Sequence, residues 1–146
     1  MTKQHYKFSD QLGYLLRRAY QRHLAIFQSN IGDDQITATQ FSTLCALRDG
    51  GPQSQGELVK VTGIDQGTIR GIQDRLEARG LVKLSRDGHD GRKVILSLTP
   101  ASEALIKKLT AAAFEVTELT FGDLNAVERV ALTHLLTRIS DLDVGS

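Results

Sequence analysis

A densely charged octapeptide, RDGHDGRK at residues 86–93, lies between two apolar segments that are prone to form β-strands. It holds two carboxylates, three Lys or Arg side chains and a histidine. Gly88 and Gly91 allow a sharp turn, and the guanidinium of Arg92 suits a narrow DNA minor groove, whose negative potential attracts cations. We expect Asp90 to orient Arg92 or a neighbouring cation. Taken alone, the octapeptide is also compatible with an ordinary solvated hairpin loop.

A second candidate surface lies on a helix predicted to begin after Asp65 and end near Arg79. Ile69, Ile72 and Leu76 share the side predicted to face the core. The opposite side, the outer face, carries two glycines four residues apart, which cost roughly 1 kcal/mol each relative to alanine and suggest close approach of another molecule. Its polar groups can hydrogen-bond base edges and phosphates, although a simply solvated helix is the alternative. The residues predicted to contact DNA are Gln66, Gly67, Thr68, Arg70, Gln73, Arg75, Arg86, His89, Asp90, Arg92 and Lys93.

The first predicted helix carries a third group of candidates, Arg17, Arg18, Tyr20 and His23. An arginine can bind a carboxylate through two parallel hydrogen bonds, and a histidine can meet a ring hydroxyl or nitrogen. The alternatives are a histidine bonded to the backbone or to a second subunit, and arginines in surface or interface salt bridges. These residues are therefore candidates for binding a small molecule that carries a carboxylate.

Sequence patterns between residues 37 and 98 place the charged octapeptide and the polar helix in one structural motif. Segments 37–40 (TATQ) and 54–57 (SQGE) have the reciprocal capping pattern that begins a helix. Gly63 leaves a tight turn before the helix with the outer face, and the repeat then becomes strand-like at 81–86 and 93–98. A short helix, a glycine turn, a polar-faced helix and a hairpin predict a winged helix-turn-helix, mostly α with a small β-hairpin wing.

Amphipathic helices are predicted at both ends of the chain. One runs from Asp10 to about Gln28, and another begins at Thr99 with proline at its first position. Segment 125–128 (NAVE) is predicted to cap the last helix. The residues predicted to face inward from that helix are Val130, Ala131, Leu135, Ile139 and Leu142.

Composition limits the class of protein. With 146 residues, 40% hydrophobic and 24% charged, the chain is predicted to form one globular domain. Its net charge of +1 is unevenly spread. Residues 65–99 hold seven Lys/Arg against five Asp/Glu, whereas residues 100–146 hold four against seven. No apolar run reaches the roughly 20 residues of a membrane span, and no leader is recognisable, so we expect a cytoplasmic protein with no membrane partner.

The sequence contains little that indicates catalysis or a bound cofactor. The four histidines, at positions 5, 23, 89 and 134, have no spacing typical of metal ligands. Phosphate-cradling glycine loops and nucleophile elbows are also missing. Cys45 lies on the apolar face of the second predicted helix and is expected to be an inert core thiol, with oxidant sensing as the alternative. We therefore predict a protein that is not an enzyme and needs no cofactor or metal.

Three segments together resemble the MarR family of transcription regulators: 74–82 (DRLEARGLV), the loop Asp87-x-x-Asp90-x-Arg92, and 98–100 (LTP). The resemblance extends along nearly the whole chain. It implies a homodimer that pairs through residues 10–36 and 100–146, and a DNA-binding lobe at residues 37–99. A winged-helix module that contacts another protein is the competing interpretation.

Segment 15–23 (LLRRAYQRH) is similar to the first helix of MarR members that sense aromatic acids, including repressors of hydroxybenzoate-type and nicotinate-type catabolism. That similarity implies a repressor of a palindromic operator. It also implies an aromatic acid effector that binds between the first helix and the DNA-binding lobe and changes the spacing of the two recognition helices.

Overall fold

The structure, a computed structural model, describes residues 4–140. A 3-10 turn at Phe8–Asp10 precedes the first α-helix. The helices are α1 (Leu12–Asn30), α2 (Ala38–Gly50), α3 (Gln55–Thr62), α4 (Gln66–Ala78), α5 (Pro100–Phe121) and α6 (Ala126–Ser140). The strands are β1 (Gln53–Ser54), β2 (Val82–Arg86) and β3 (Val94–Leu98). None of the described helices is both long enough and apolar enough to cross a membrane.

Helices α2, α3 and α4 begin at the caps that the sequence predicts. At 37–40 and 54–57 the hydroxyl accepts the backbone N–H three residues on, and the side chain there accepts the N–H of the cap residue. Asp65 accepts the backbone N–H of Thr68 at 2.9 Å and so caps α4. Gly63, in the left-handed region at φ 72°, closes α3. These local bonds fix the short turn between α3 and α4.

The sheet has one strand more than the predicted hairpin. Its antiparallel order is β1-β3-β2, with Gln53 opposite Leu96 and Ser54 opposite Ile95. A strand of two residues, one of which is the helix cap Ser54, is too short to show alternation, so sequence periodicity does not reveal it. β1 ties the start of α3 to the hairpin that forms the wing, defined here as β2, β3 and the intervening residues 87–93.

The core is continuous from the winged lobe to the helices at the ends of the chain. Ile69, Ile72 and Leu76 of α4 are buried, as predicted. They belong to the same cluster as Leu44 of α2 and Leu58 of α3. The cluster also includes residues of α1 and α5, namely Phe27, Ile106, Leu109 and Val116. α4 is therefore held on its inner side by apolar packing, and its outer face remains exposed.

The prediction that α6 faces inward is wrong for the single chain. Among the predicted residues, Val130 is 71% exposed and Leu135 52% exposed, and α6 has no buried residue. The physical reason is that α6 lies outside the core cluster, so the described chain leaves much of the surface of its apolar side chains uncovered. Leu142 lies outside the described residues. Exposed apolar side chains also occur at the start of α1, where Leu12 is 59% exposed.

Candidate nucleic-acid interface and effector site

Of the residues predicted to contact DNA, Gly67, Thr68, Arg70 and Arg75 lie on the outer face of α4, whereas Gln66 and Gln73 lie at the edge that meets α3 and bond to Gln55. Gln66, Gly67, Thr68, Arg70 and Arg75 are exposed and Gln73 is half-buried. The Thr68 hydroxyl donates to Oδ2 of Asp65 at 2.8 Å, which leaves its oxygen lone pairs as acceptors. The guanidinium groups of Arg70 and Arg75 make no hydrogen bond or ion pair with any described residue. An exposed helix with amide, hydroxyl and guanidinium groups along one side suits a major groove.

Nothing inside the described protein requires glycine at the two outer-face positions. Gly67 and Gly71 both have ordinary negative φ values. A Cβ built on Gly71 would meet no atom within 4 Å, and one on Gly67 would meet only Oδ1 of Asp65, at 3.5 Å. Alanine would fit at both positions and favour the helix, so packing within the described residues does not explain these glycines.

In the wing, the carboxylates bind main-chain groups and not the cations. Oδ1 of Asp90 accepts the backbone N–H of Arg92 at 3.0 Å, and Oδ1 of Asp87 accepts that of His89 at 3.1 Å. Asp90 was expected to hold Arg92 or a neighbouring cation, and it contacts Arg92 through the backbone N–H and not through the guanidinium. Its carboxylate shapes the turn instead, because a backbone amide two residues on is a closer donor than a long, solvated guanidinium. The Arg92 side chain projects from this turn and is exposed.

Two other predicted wing cations are bound within the protein. Arg86 donates to the carbonyl oxygen of Gly91 at 3.0 Å. Lys93 Nζ lies 2.9 Å from Oε1 of Glu57 on α3, and this bond lowers the pKa of Glu57 and raises that of Lys93. The pair is solvent-exposed, so it orients the wing without adding much stability. Among the wing residues predicted to contact DNA, the side chains of Arg92 and His89 thus make no hydrogen bond or ion pair with the described residues.

His23 is the part of the predicted ligand site whose geometry is best defined. Its Nδ1 lies 2.9 Å from the Thr120 hydroxyl oxygen. That hydroxyl donates to the carbonyl oxygen of Val116 at 2.7 Å, so Nδ1 carries the proton and Nε2 is left as an acceptor. Burial lowers the pKa of His23, which favours this neutral form. The Tyr20 ring stacks on the imidazole with a centroid separation of 6.1 Å.

His23 opens into a cleft of about 480 Å³ between α1, α5 and α6. The lining is mostly apolar, with several threonine hydroxyls; it includes His23, Thr117, Thr120, Phe121, Leu132 and Leu136. Arg17 and Arg18 are exposed on α1 and do not line this cleft. The structure therefore brings Tyr20 and His23 together, but not the two predicted arginines.

Arg22 was not predicted from the sequence, although it stabilises this site. Its guanidinium donates to the carbonyl oxygens of Thr120 at 2.8 Å and Leu119 at 2.9 Å. These carbonyls end α5, where cations are favourable. The sequence offers no signal for this contact because the partners lie almost a hundred residues apart. Arg22 fixes α1 against the end of α5, next to the bond between His23 and Thr120.

A smaller cleft of about 200 Å³ lies between α2 and α5, hence between the winged lobe and the C-terminal helices. Phe41, Cys45, Arg48 and Phe114 are among its lining residues, and none of the four predicted ligand residues is. Cys45 is half-buried rather than in the core, and burial raises its thiol pKa. A raised pKa keeps the thiol protonated and so unreactive. No metal-holding group of three or more His, Cys, Asp or Glu occurs within residues 4–140.

Comparison with known proteins identifies the family. A model described as MarR family matches residues 34–93. The transcriptional repressor NicR of Pseudomonas putida is 54% identical over 138 residues, which is 94% of this chain and 87% of NicR. Among solved structures, Bordetella bronchiseptica BpsR, studied for regulation of its DNA binding by 6-hydroxynicotinic acid, has a TM-score of 0.89 and 52% identity over 96% of this chain and 100% of BpsR.

A MarR variant from Escherichia coli complexed with operator DNA has a TM-score of 0.82 and 25% identity, covering 92% of this chain and 99% of that one. These relatives are transcription regulators and not enzymes, and they do not favour a protein-contact module or a thiol sensor. These comparisons confirm the predicted winged helix-turn-helix fold and the resemblance to the MarR family. The chain belongs to the MarR family of transcription regulators.

Proposed function

We propose that the protein is a dimeric, DNA-binding repressor. In this proposal α4 of each protomer enters a major groove and Arg92 of each wing reaches a neighbouring minor groove of a palindromic operator. The observation that carries the proposal is the outer face of α4, whose glycines are not explained by packing within the described residues and whose guanidinium groups project into solvent. Its target is chromosomal DNA, so we place the protein in the cytoplasm.

Dimerisation is proposed through residues 10–36 and 100–146, with residues 37–99 as the DNA-binding lobe. The exposed apolar side chains of α1 and α6 support this division, since monomeric proteins seldom expose so many large apolar groups at once. A twofold axis between the protomers would set the two outer faces about 34 Å apart, one turn of B-DNA.

The effector is proposed to be a planar aromatic carboxylate of the hydroxynicotinate class. The relation to NicR and to BpsR, whose DNA binding 6-hydroxynicotinic acid regulates, supports this class. The neutral His23 supports it physically, because Nε2 accepts a hydrogen bond from a ring O–H or N–H. Arg17 and Arg18 are proposed to bind the carboxylate, and because neither lines the cleft of one protomer, that contact requires the dimer.

Release from DNA follows if the effector binds better to a dimer whose outer faces are no longer one helical turn apart. His23 and Arg22 connect α1 with the end of α5, and both helices also contribute to the core beneath the winged lobe. A ligand in this position therefore acts on helices that set the spacing of the two lobes. The proposed mechanism is a shift between two dimer geometries.

The effector site is tested with His23→Ala and Arg17→Ala. We expect each to raise the concentration of 6-hydroxynicotinic acid needed for half-release of operator DNA by about tenfold or more, because a buried acceptor or a carboxylate partner is lost. Operator affinity without effector should stay near that of the unmodified protein. Fluorescence anisotropy on a labelled operator duplex measures both quantities.

Gln21→Ala is the matched control, since Gln21 is exposed on the same helix and lies outside the cleft. This variant should respond to the acid as the unmodified protein does. Normal release in both His23→Ala and Arg17→Ala contradicts the proposed effector site, while leaving DNA binding by α4 intact.

A further inference from the structure

An ion pair joins the turn after α1 to the end of α4. Nη2 of Arg79, the C-cap residue of α4, donates to Oδ2 of Asp33 at 3.2 Å. The Asp33 side chain is 17% exposed and that of Arg79 33% exposed, so both groups are largely withdrawn from solvent. A guanidinium only donates and a carboxylate only accepts, so the roles of the two groups in this contact are fixed.

Asp33 is itself held in place by the turn between α1 and α2. Its other oxygen, Oδ1, accepts the backbone N–H of Gln35 at 2.8 Å. Ile31 and Ile36, on either side of Asp33, are 1% and 0% exposed and belong to the core cluster. The backbone N–H of Ile31 bonds to the carbonyl oxygen of Phe27 within α1. The turn therefore continues the end of α1, and Asp33 moves with that helix.

Arg79 lies where α4 stops. Its backbone N–H bonds to the carbonyl oxygen of Arg75 at 3.2 Å, and Gly80 then turns the chain at φ 70°. The Arg79 guanidinium is bound to Asp33, whereas that of Arg75 makes no hydrogen bond or ion pair with a described residue. Arg79 thus attaches the end of α4 to α1, and Arg75 belongs to the surface that α4 exposes.

We propose that Asp33 and Arg79 are positioning residues that couple effector binding at α1 to the orientation of α4. The inference rests on the proposed function, in which the effector binds at His23 and α4 enters a major groove. α1 ends at Asn30, about two helical turns or roughly 10 Å beyond His23. A displacement of α1 by the effector therefore reaches Asp33, and the ion pair passes it to the end of α4.

The ion pair transmits such a displacement more specifically than the apolar core does. Apolar side chains adjust to one another without directional bonds, whereas a carboxylate holds a guanidinium in a defined geometry. The core still joins α1 and α4 when the pair is broken, so the fold should persist and only the coupling should weaken. Allosteric coupling commonly amounts to about 5- to 150-fold in affinity. The loss of one partly buried ion pair is large enough to reduce it.

The variant Asp33→Asn breaks the ion pair and spares the turn. The asparagine oxygen still accepts the N–H of Gln35, whereas its NH2 group is a donor and cannot pair with Arg79. The coupling ratio is the operator Kd at saturating 6-hydroxynicotinic acid divided by the Kd without the acid. We expect this ratio to fall by about fivefold or more, while the affinity for the acid alone stays unchanged. Fluorescence anisotropy measures the ratio, and isothermal titration calorimetry without DNA measures binding of the acid.

Three further variants isolate the ion pair. Asp34→Asn is the matched control, because Asp34 is the exposed neighbour and the substitution is the same, and its coupling ratio should be that of the unmodified protein. Arg79→Lys keeps a cation within reach of Asp33 and should retain most of the ratio. Arg79→Met keeps only the apolar stem and should lose as much as Asp33→Asn does. Combining Asp33→Asn with Arg79→Met should lower the ratio no further than either change alone.

The possible outcomes separate the coupling from the proposed function. An unchanged ratio in Asp33→Asn and Arg79→Met, even with a lower Tm, shows a merely stabilising pair and overturns the inference, and so does a double variant whose losses add. Failure of the unmodified protein to bind an operator or to respond to 6-hydroxynicotinic acid contradicts the proposed function, and the coupling falls with it. A reduced ratio at unchanged affinity for the acid, with normal ratios in Asp34→Asn and Arg79→Lys, supports the inference.

Discussion

Replacing Val130 with lysine is expected to convert the dimer to a monomer and to lower operator affinity by about a hundredfold or more. Val130 is 71% exposed in the single chain, so the protomer itself should fold normally. In a dimer formed through α6, however, the added ammonium group would be buried among apolar side chains without a partner. Sedimentation velocity measures the oligomeric state, and anisotropy on an operator duplex measures the affinity.

The affinity falls because two linked lobes bind one palindrome as a bivalent ligand, whereas a monomer binds only one half-site. Val61→Lys is the matched control. Val61 is 64% exposed on α3, outside the two segments proposed to dimerise, and the substitution is the same. This control should remain dimeric. A Val130→Lys protein that is still a dimer with unchanged affinity contradicts the proposed interface.

Replacing Gly71 with alanine is expected to change stability and DNA binding in opposite directions. The free energy of unfolding should rise by about 1 kcal/mol, because alanine is the better helix former and the added Cβ meets no atom within 4 Å. Operator affinity should fall, because the methyl group projects into the space that DNA occupies. The larger Gly71→Leu should lower affinity by about tenfold or more. Urea denaturation and anisotropy provide the two measurements.

Gly13→Ala is the matched control for the stability change, since Gly13 lies in a helix and a Cβ there also meets nothing within 4 Å. It should increase stability, and because Gly13 lies in a segment proposed to dimerise, its operator affinity is compared once sedimentation velocity shows that it is still a dimer. If Gly71→Leu bound DNA as well as the unmodified protein does, the outer face of α4 would not be the surface that approaches DNA closely.

The sequence predicted the elements whose causes are local. The caps at 37–40 and 54–57, and the inward side of α4, each depend on residues within a few positions of one another, and all are present. The order of helices, glycine turn and hairpin then limited the fold to a winged helix-turn-helix. β1 was not predicted, because a strand of two residues is too short to show a periodic pattern.

The remaining errors and omissions concern contacts between distant residues or between chains. Val130 and Leu135 have the pattern of core residues, and only the fold shows that nothing within residues 4–140 covers them. Arg22 bonds to the end of α5, and Gln55 to two residues of α4, across separations that no local pattern encodes. Asp90 was expected to orient Arg92 or a neighbouring cation, and only the turn geometry shows that its partner is the backbone N–H of Arg92.

The central proposal is that the outer faces of two protomers enter one DNA duplex. Titrating the purified protein with an operator duplex at several salt concentrations tests it most directly. Six to ten phosphate contacts by a dimer predict a slope of log affinity against log salt of about −5 to −9. Sedimentation of the same complex should show two protein chains on each duplex. A slope near zero, or a single chain bound at full affinity, would contradict the account.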